Sequence, residues 1–456
     1  MADNPFLAAL PPPDTAIGRV RRRFRRTVTW SRVFRATSYV RSALWFIPLI
    51  AMALVLLLAP AIRELDRALG WKLTNLGVDG AQALCGTVIT LTLSFVVFTF
   101  GSLLVALQVA GGQLTPRIIA TALLRDNVVR YSVGLFVFTL MAAVLTLNRL
   151  TTHVPQLLVF FIALLGIASL TVFLFFIDYA ARLLRPVSVV ARIGDEGLAV
   201  LDAMFPAALR EGSADPRGDA PASAPVRTLL HDGTSGVVLA VDIGALVEAA
   251  RRHDGVIALA PQVGDFLAYG QPLFHLHGGA AMVDDGTLRD AVALGPERTI
   301  EQDPMFALRI LVDIALKALS PAINDPTTAV LALDQVHRLL RIAGQRELRG
   351  DCIRDPAGIT RLVIRMPRWA DFVEMACVEI RACGANSMQV ARRLTAMIED
   401  LLQVLPAARH PPLAAQHALL QRALVASYPF AEDLALAHVA DVQGMGGAPH
   451  DRRPRP

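Results

Sequence analysis

Apolar residues dominate the first 180 positions in four long runs, after which the chain changes to shorter segments with helical or strand-like periodicity. The runs cover residues 43–62, 83–109, 131–147 and 156–177. Each is close to the ~20 residues that a helix needs to cross a hydrocarbon core. The pattern therefore predicts four transmembrane helices, and an even number of spans returns the chain to its starting side.

The composition agrees with four membrane spans, and the positions of the arginines predict how the spans are oriented in the membrane. A chain with 54% hydrophobic residues is too apolar for an ordinary soluble protein of 456 residues. Arginines cluster in three places that the spans put on one side: Arg19, Arg21, Arg22, Arg23, Arg25 and Arg26; Arg117, Arg125 and Arg130; and Arg182, Arg185 and Arg192. Basic loops stay in the cytoplasm. We therefore expect a multi-pass protein of the bacterial inner membrane with both termini in the cytoplasm.

The basic arm, residues 1–42, needs no partner beyond the adjacent membrane. Its arginines set the topology and contact anionic lipid. We expect the lipid bilayer as a partner and no nucleic acid.

The second run carries a line of small and polar residues. Thr87, Ser94, Gly101 and Gln108 recur at seven-residue spacing, and Thr90 lies beside them. We call these five residues the polar line. It has two interpretations: close packing against another helix through small residues, or a water-facing wall in the pore of a homo-oligomer. No ionisable residue lies in the central part of any run, which argues against a proton-coupled pump or an intramembrane protease.

The second half of the chain is predicted to be a cytoplasmic α+β region, so the fold class is a mainly α membrane protein. We divide the chain into the basic arm 1–42, the four-helix membrane domain 43–180, a helix and flexible linker 181–225, a small β-rich domain 226–290, a helical domain 291–442 and a disordered tail 443–456.

The β-rich domain resembles the hammerhead hairpins of biotinyl and lipoyl domains. The resemblance rests on a turn at Gly264 and Asp265 followed by a second turn at Gly270. Those domains are acylated on a hairpin lysine, and no lysine lies between residues 72 and 317, so carrier chemistry is excluded. His275 and His277 share a strand face, but no third ligand is placed beside them, and we expect neither a metal nor a cofactor.

The most distinctive stretch is residues 295–328. It predicts two helices, each opened by an N-capping aspartate and a proline, Asp303 with Pro304 and Asp325 with Pro326. The SPAIN turn, residues 320–324, joins the helices, and we call the pair the signature hairpin.

Charges in the signature hairpin allow three interpretations. Arg309, Asp313 and Lys317 follow one another at four-residue steps and form one ionic stripe. The stripe is a solvated face, or part of a partly buried ion-pair network, or a site for a divalent metal or an anion. The other charges of such a network are Glu297, Arg298, Glu301, Asp303 and Asp325.

Together with the four spans, this stretch resembles the bacterial family of predicted membrane proteins called DUF2254, over residues 35–430. The resemblance implies an architecture and no activity. It implies a family signature made of Arg298, Glu301, Asp303, Lys317, Ser320, Pro321, Asn324, Asp325 and Pro326.

Motifs of common enzymes are absent from the sequence. There is no nucleophile elbow, no phosphate-binding GxxxxGK[ST] loop, no HExxH and no GxGxxG after a strand. We expect no enzymatic activity. Two hypotheses remain: a passive channel or transport-related homo-oligomer with a cytoplasmic assembly domain, and a membrane-anchored scaffold or sensor that binds a soluble protein partner.

Overall fold

Four long apolar helices follow one another in the first half of the chain, as the sequence predicts. The computed structural model describes residues 29–43, 45–69, 76–113, 126–150, 154–183, 185–209, 223–348 and 350–446. The helices of the first half are α1 (Trp30–Ser42), α2 (Phe46–Leu69), α3 (Val78–Gln113), α4 (Asn127–Leu147), α5 (Gln156–Leu183) and α6 (Pro186–Met204). Helices α2 to α5 are long and apolar enough to cross a membrane. The arginines at 19–26 and residues 210–222 of the predicted linker lie outside the described residues.

The spans pack through small residues on α4 and α5. A Cβ added at Gly134 of α4 would lie 2.7 Å from Ile47 Cγ2, and one at Gly166 of α5 would lie 3.0 Å from Val88 Cγ2. Such close approach between helices is typical of membrane bundles. Half of the apolar window of α4 is buried inside the chain, against 6% of that of α2, so α4 is the central span.

The chain divides into two compact units, and the boundaries differ from the predicted ones. The first unit comprises Met1–Tyr39, Ser213–Phe306 and Glu347–Arg368, and the second comprises Val40–Gly212, Ala307–Arg346 and Trp369–Pro456. Residues Glu347–Arg368, which fall inside the predicted helical domain 291–442, group with the β-rich part of the chain. Two short strands there pair with a distant strand, which local periodicity does not reveal.

The first unit is built on two sheets. Its strands are β1 (Arg227–Leu230), β2 (Gly236–Val241), β3 (Gly255–Leu259), β4 (Phe266–Leu267), β5 (Pro272–Gly278), β6 (Val292–Gly295), β7 (Cys352–Arg354) and β8 (Thr360–Val363). One sheet has the order β1-β5-β3-β8-β7 and the other β4-β2-β6. Helices α7 (Ile243–Arg252) and α8 (Asp285–Asp290) connect them. Gly264 and Gly270 have φ of +93° and +80°, which confirms the two predicted turns, since glycine reaches this region without strain.

The rest of the second unit is helical. Its helices are α9 (Pro304–Ala318), which begins in the first unit, α10 (Pro326–Gly344), α11 (Trp369–Gly384), α12 (Met388–Val404), α13 (His410–Ser427) and α14 (Ala431–Ala437). The signature hairpin is therefore α9 and α10. The sequence assigns the covering surface of the hairpin to residues 369–382, but α10 packs mainly on α6 and α12.

Candidate functional site

Both helices of the signature hairpin begin where the sequence predicts. The backbone N of Phe306 donates to Asp303 Oδ1 at 3.1 Å, and the backbone N of Thr328 donates to Asp325 Oδ1 at 3.0 Å. These bonds satisfy amides that a helix start otherwise leaves without partners. The two predicted N-caps are confirmed.

The SPAIN turn is closed by backbone hydrogen bonds and a left-handed residue. Asn324 has φ of +49°, a conformation that asparagine tolerates better than most residues. Its backbone N donates to Ser320 O at 2.8 Å, and the next backbone N, of Asp325, donates to Ala318 O at 2.8 Å. The Ser320 hydroxyl donates to Lys317 O at 2.7 Å. Ser320 and Asn324 are thus used to turn the chain.

In the second unit, Arg309 connects α9 to α11. Its Nε donates to Asp313 Oδ1 at 2.7 Å and its Nη2 to Glu379 Oε2 at 3.0 Å. The side chains of Arg309 and Asp313 are 24% and 16% exposed, so this part of the predicted stripe is half-buried and not a solvated face. The hydrogen bond from Arg309 lowers the pKa of Glu379, as expected for a carboxylate held by a guanidinium.

The side chain of Lys317 contacts the second membrane span, α3. Its Nζ donates to the carbonyl oxygen of Gly111 at 3.0 Å, in the last turn of α3. Lys317 therefore has a partner outside the ionic stripe that the four-residue spacing of Arg309, Asp313 and Lys317 predicts. A cation at a helix C-terminus stabilises the last carbonyls and the helix dipole. The hairpin thus holds the end of the helix that carries the polar line.

Helix α6 provides a second connection between the hairpin and the spans. A Cβ added at Gly197 would lie 2.9 Å from Ala307 Cβ and 3.1 Å from Leu339 Cδ2, and one at Gly194 would lie 2.4 Å from Gln335 Oε1. The two glycines let α6 lie against the hairpin. On the exposed side, Arg338 Nη1 donates to Asp195 Oδ1 at 2.7 Å.

The other end of this connection is a buried carboxylate, Asp126. Its Oδ1 accepts from the backbone N of Val128 at 2.9 Å and caps α4. Its Oδ2 accepts from the Tyr179 hydroxyl of α5 at 2.5 Å and from Arg192 Nη1 of α6 at 3.0 Å. A buried charge is stable only when it is paired and hydrogen-bonded. Asp126 meets this condition and joins three helices at one end of the spans.

In the first unit, signature residues fasten the start of α9 to the β-rich part. Arg298 Nε donates to Asp303 Oδ2 at 2.5 Å, and the guanidinium lies against Gly264, where an added Cβ would come within 2.4 Å of its Nη2. Ser38 Oγ of α1 donates to Glu301 Oε1 at 3.1 Å. Burial raises the pKa of Asp303, and Arg298 opposes this effect. These contacts hold the loop that precedes α9.

The polar line lies on the side of α3 that faces away from its own chain. Thr87, Ser94 and Gly101 each follow by two residues a fully buried position of the helix, and all three are exposed. Two residues correspond to about 200° of helical rotation. The buried positions are Cys85, Thr92 and Thr99. Thr90 and Gln108 are also exposed.

Hydroxyls of the polar line are satisfied by the backbone of α3. Thr87 Oγ1 donates to Ala83 O at 2.8 Å, and Ser94 Oγ donates to Thr90 O at 2.8 Å. A Cβ added at Gly101 meets nothing within 4 Å. The line therefore presents a shallow, weakly polar surface that the described residues of the chain leave uncovered.

The two histidines of the predicted pair lie in different surroundings on one strand. His275 Nδ1 is 3.2 Å from Thr228 Oγ1, and His277 is 91% buried on the same strand. Within the described ranges, no group of three or more His, Cys, Asp or Glu side chains could hold a metal ion.

The sequence does not reveal that Asp126, Tyr179 and Arg192 contact one another. It also does not reveal the close helix contacts at Gly134 and Gly166. The only local signal was an aspartate before the apolar run at 131–147, which resembles an N-cap. The partners of Asp126 lie 53 and 66 residues further along the chain, so no local pattern connects them.

Comparison with known proteins places this chain in a family. Residues 41–400 match the family described as "Predicted membrane protein (DUF2254)". The chain is 25% identical over 417 residues to the uncharacterized protein Rv1290c of Mycobacterium tuberculosis and to the uncharacterized protein Mb1321c of Mycobacterium bovis, covering 87% of this chain and 79% of each relative. No solved structure matches the chain. With a family match over most of its length, the chain belongs to the DUF2254 family of predicted membrane proteins.

Proposed function

We propose that this membrane protein is a passive channel or transport-related protein that works as a homo-oligomer in the bacterial inner membrane, with both termini in the cytoplasm. The observation that carries the proposal is the outward position of the polar line on α3. A helix that serves only as an anchor needs apolar side chains towards lipid. Three of the outward positions here are instead Thr87, Ser94 and Gly101.

The contacts at the ends of the spans support a controlling role for the signature hairpin. Lys317 holds the end of α3, and α6 runs from the hairpin to the Asp126 cluster at α4 and α5. A shift of the hairpin would therefore be transmitted to three spans. Packed helices move as discrete bodies, which is the usual basis of gating.

The proposal assigns no catalytic chemistry to the protein. The charged side chains of the hairpin are used in caps and ion pairs: Asp303 and Asp325 cap helices, and Arg309 binds Asp313 and Glu379.

Leucine substitutions along the polar line test the proposal. The triple variant Thr87→Leu, Ser94→Leu and Gly101→Leu fills the outward surface without a clash in its own chain, since Gly101 faces open space. In liposomes loaded with salt or small solutes, we expect the wild type to give flux and the triple variant to lose most of it. A matched control, Leu93→Met with Phe100→Leu, changes exposed apolar positions of the same helix and is expected to keep the flux.

The alternative function is a membrane-anchored scaffold or sensor. Phe266 and Tyr269 favour it, because these side chains of the first unit are 66% and 73% exposed and aromatic residues are common in binding surfaces. An anchor tolerates the triple leucine variant. A wild type that is monomeric in mild detergent and gives no flux would overturn the channel proposal and leave the scaffold.

A further inference from the structure

The neutral ring of a histidine between α10 and α12 is held in one tautomer by its neighbours. His337 Nε2 is 2.8 Å from Asp400 Oδ2, and His337 Nδ1 is 3.1 Å from Arg393 Nη2. A guanidinium can only donate, so Nδ1 accepts. The proton of the neutral ring is therefore on Nε2 and is donated to Asp400.

Arg393, which donates to His337, also contacts a segment near the C-terminus. Its Nε donates to Asp334 Oδ1 at 2.7 Å, and its side chain is only 8% exposed. Gly444 lies on its aliphatic stem: a Cβ added there would lie 3.3 Å from Arg393 Cδ, and Gly444 has φ of +67°.

The segment seated there, residues 439–446, is here called the C-terminal strap. Arg392 Nε donates to Val439 O at 2.9 Å, and Gln389 Nε2 donates to Gly444 O at 2.6 Å. The carboxylate of Asp441 accepts from three backbone amides of the strap. The sequence predicts a disordered tail from 443, but the strap is ordered to Gly446 by these bonds. Residues 447–456 lie outside the described residues.

A second proton on His337 would point Nδ1–H at the N–H of Arg393. The ring would lose this hydrogen bond and place a positive charge beside Arg393 and Arg341, opposed by Asp400 at its Nε2, while Asp334 is held by Arg393. Asp400 is 35% exposed and is shared with Arg341 at 2.7 Å. Among the described residues of the other packed helices, Asp195 of α6 pairs with Arg338 and Glu379 of α11 pairs with Arg309.

Burial is the largest influence on His337 and lowers its pKa, the hydrogen bond to Asp400 opposes it, and Arg393 and Arg341 lower the pKa further. The sign of the pH dependence follows. A histidine whose pKa is lower in the closed structure favours that structure above its ordinary pKa of about 6.5, and the stabilisation is lost as the pH falls below this value.

We propose that the helical region carries an acid-sensitive latch, in which protonation of His337 displaces Arg393 and releases the C-terminal strap from α12. The latch is independent of whether the spans conduct. Acidification of the compartment that holds α10 and α12 is the stimulus, and the ordered strap is the element that responds.

Hydrogen exchange of the full-length protein in nanodiscs tests the latch at about pH 7.5 and about pH 5.5, the range in which histidine titrates. After correction for the pH dependence of chemical exchange, we expect the amides of residues 439–446 to exchange several-fold faster at the lower pH in the wild type. His337→Gln, whose amide can accept and donate without titrating, should remove the acid effect. His417→Gln on α13 is the matched control and should behave as the wild type.

A second variant covers the case in which His337→Gln fails to fold. Arg393→Ala removes both the donor to His337 and the aliphatic stem on which Gly444 lies, so the strap should exchange fast at both pH values. Equal protection of the wild-type strap at both pH values would overturn the latch. So would acid-induced opening that persists in His337→Gln, or a strap that stays protected in Arg393→Ala.

Discussion

Asn324 ends the SPAIN turn in a backbone conformation that few residues adopt. Its φ is +49°, and a residue with a Cβ in the left-handed region costs roughly 1–2 kcal/mol. We predict that Asn324→Ala lowers the free energy of unfolding by about 1 kcal/mol. Asn324→Gly should leave stability nearly unchanged, since glycine reaches this conformation freely. Thermal unfolding in detergent measures both, and equal loss in the two variants would contradict the conformational explanation.

Lys317 is the residue through which the hairpin holds α3. Replacing it by methionine keeps the length of the side chain and removes the charge that caps the Gly111 carbonyl. We predict that the free energy of unfolding falls by about 1 kcal/mol, which lies within the range for a cation at a helix end. We also expect faster amide exchange in the last turn of α3. Lys317→Arg should retain most of the effect. Unchanged exchange at the end of α3 in Lys317→Met would show that the contact does not hold the helix.

At the scale of single residues, the sequence predicts contacts between residues that are close neighbours in the chain. The caps at Asp303 and Asp325 follow from an aspartate before a proline, a pattern complete within four residues. The partner of Lys317 lies 206 residues away, and Lys317 belongs by spacing to the stripe of Arg309 and Asp313. Only the folded chain separates them.

Among the elements, α6 is the one whose packing depends most on its glycines. Gly197→Ala places a methyl group 2.9 Å from Ala307 Cβ and 3.1 Å from Leu339 Cδ2. Overpacking of this kind costs about 1–3 kcal/mol, which exceeds the gain of up to about 1 kcal/mol in helix propensity. We therefore predict a net loss of stability and weaker attachment of α6 to the hairpin.

Gly86→Ala is the matched control, because Gly86 is also inside a helix and its Cβ meets nothing within 4 Å. It should be neutral or stabilising. Chemical or thermal unfolding of the two variants in the same detergent gives the comparison. A Gly197→Ala variant as stable as Gly86→Ala would mean that the helices move apart at little cost.

The sequence predicts those elements that are defined by their length and hydropathy. It does not predict short strands that pair with distant parts of the chain. The four spans follow from apolar runs near the length of a membrane crossing. Strands β7 and β8 have three and four residues, and β8 pairs in parallel with β3, about 100 positions earlier. Such pairing leaves no mark within the strand itself, so the sequence assigned this stretch to the helical domain.

At the scale of the whole molecule, span α3 carries an outward polar line, and the signature hairpin holds the end of that span through Lys317. The spacing of the polar line was visible in the sequence, since seven residues return to the same side of a helix. The sequence does not reveal which side of α3 faces the other spans, because the helix has a second seven-residue series, Cys85, Thr92 and Thr99. This second series is the buried one.

Cysteine accessibility along α3 tests most directly whether the polar line faces water. In a background without the native cysteines, Ser94→Cys and Phe100→Cys are compared in proteoliposomes with a charged, membrane-impermeant thiol reagent. Both positions are exposed on the single chain, but only Ser94 belongs to the polar line. We predict that Ser94→Cys is labelled and that labelling reduces flux, while Phe100→Cys stays unlabelled in lipid. Failure of Ser94→Cys to react in a folded protein, or equal reaction at both positions, would contradict it.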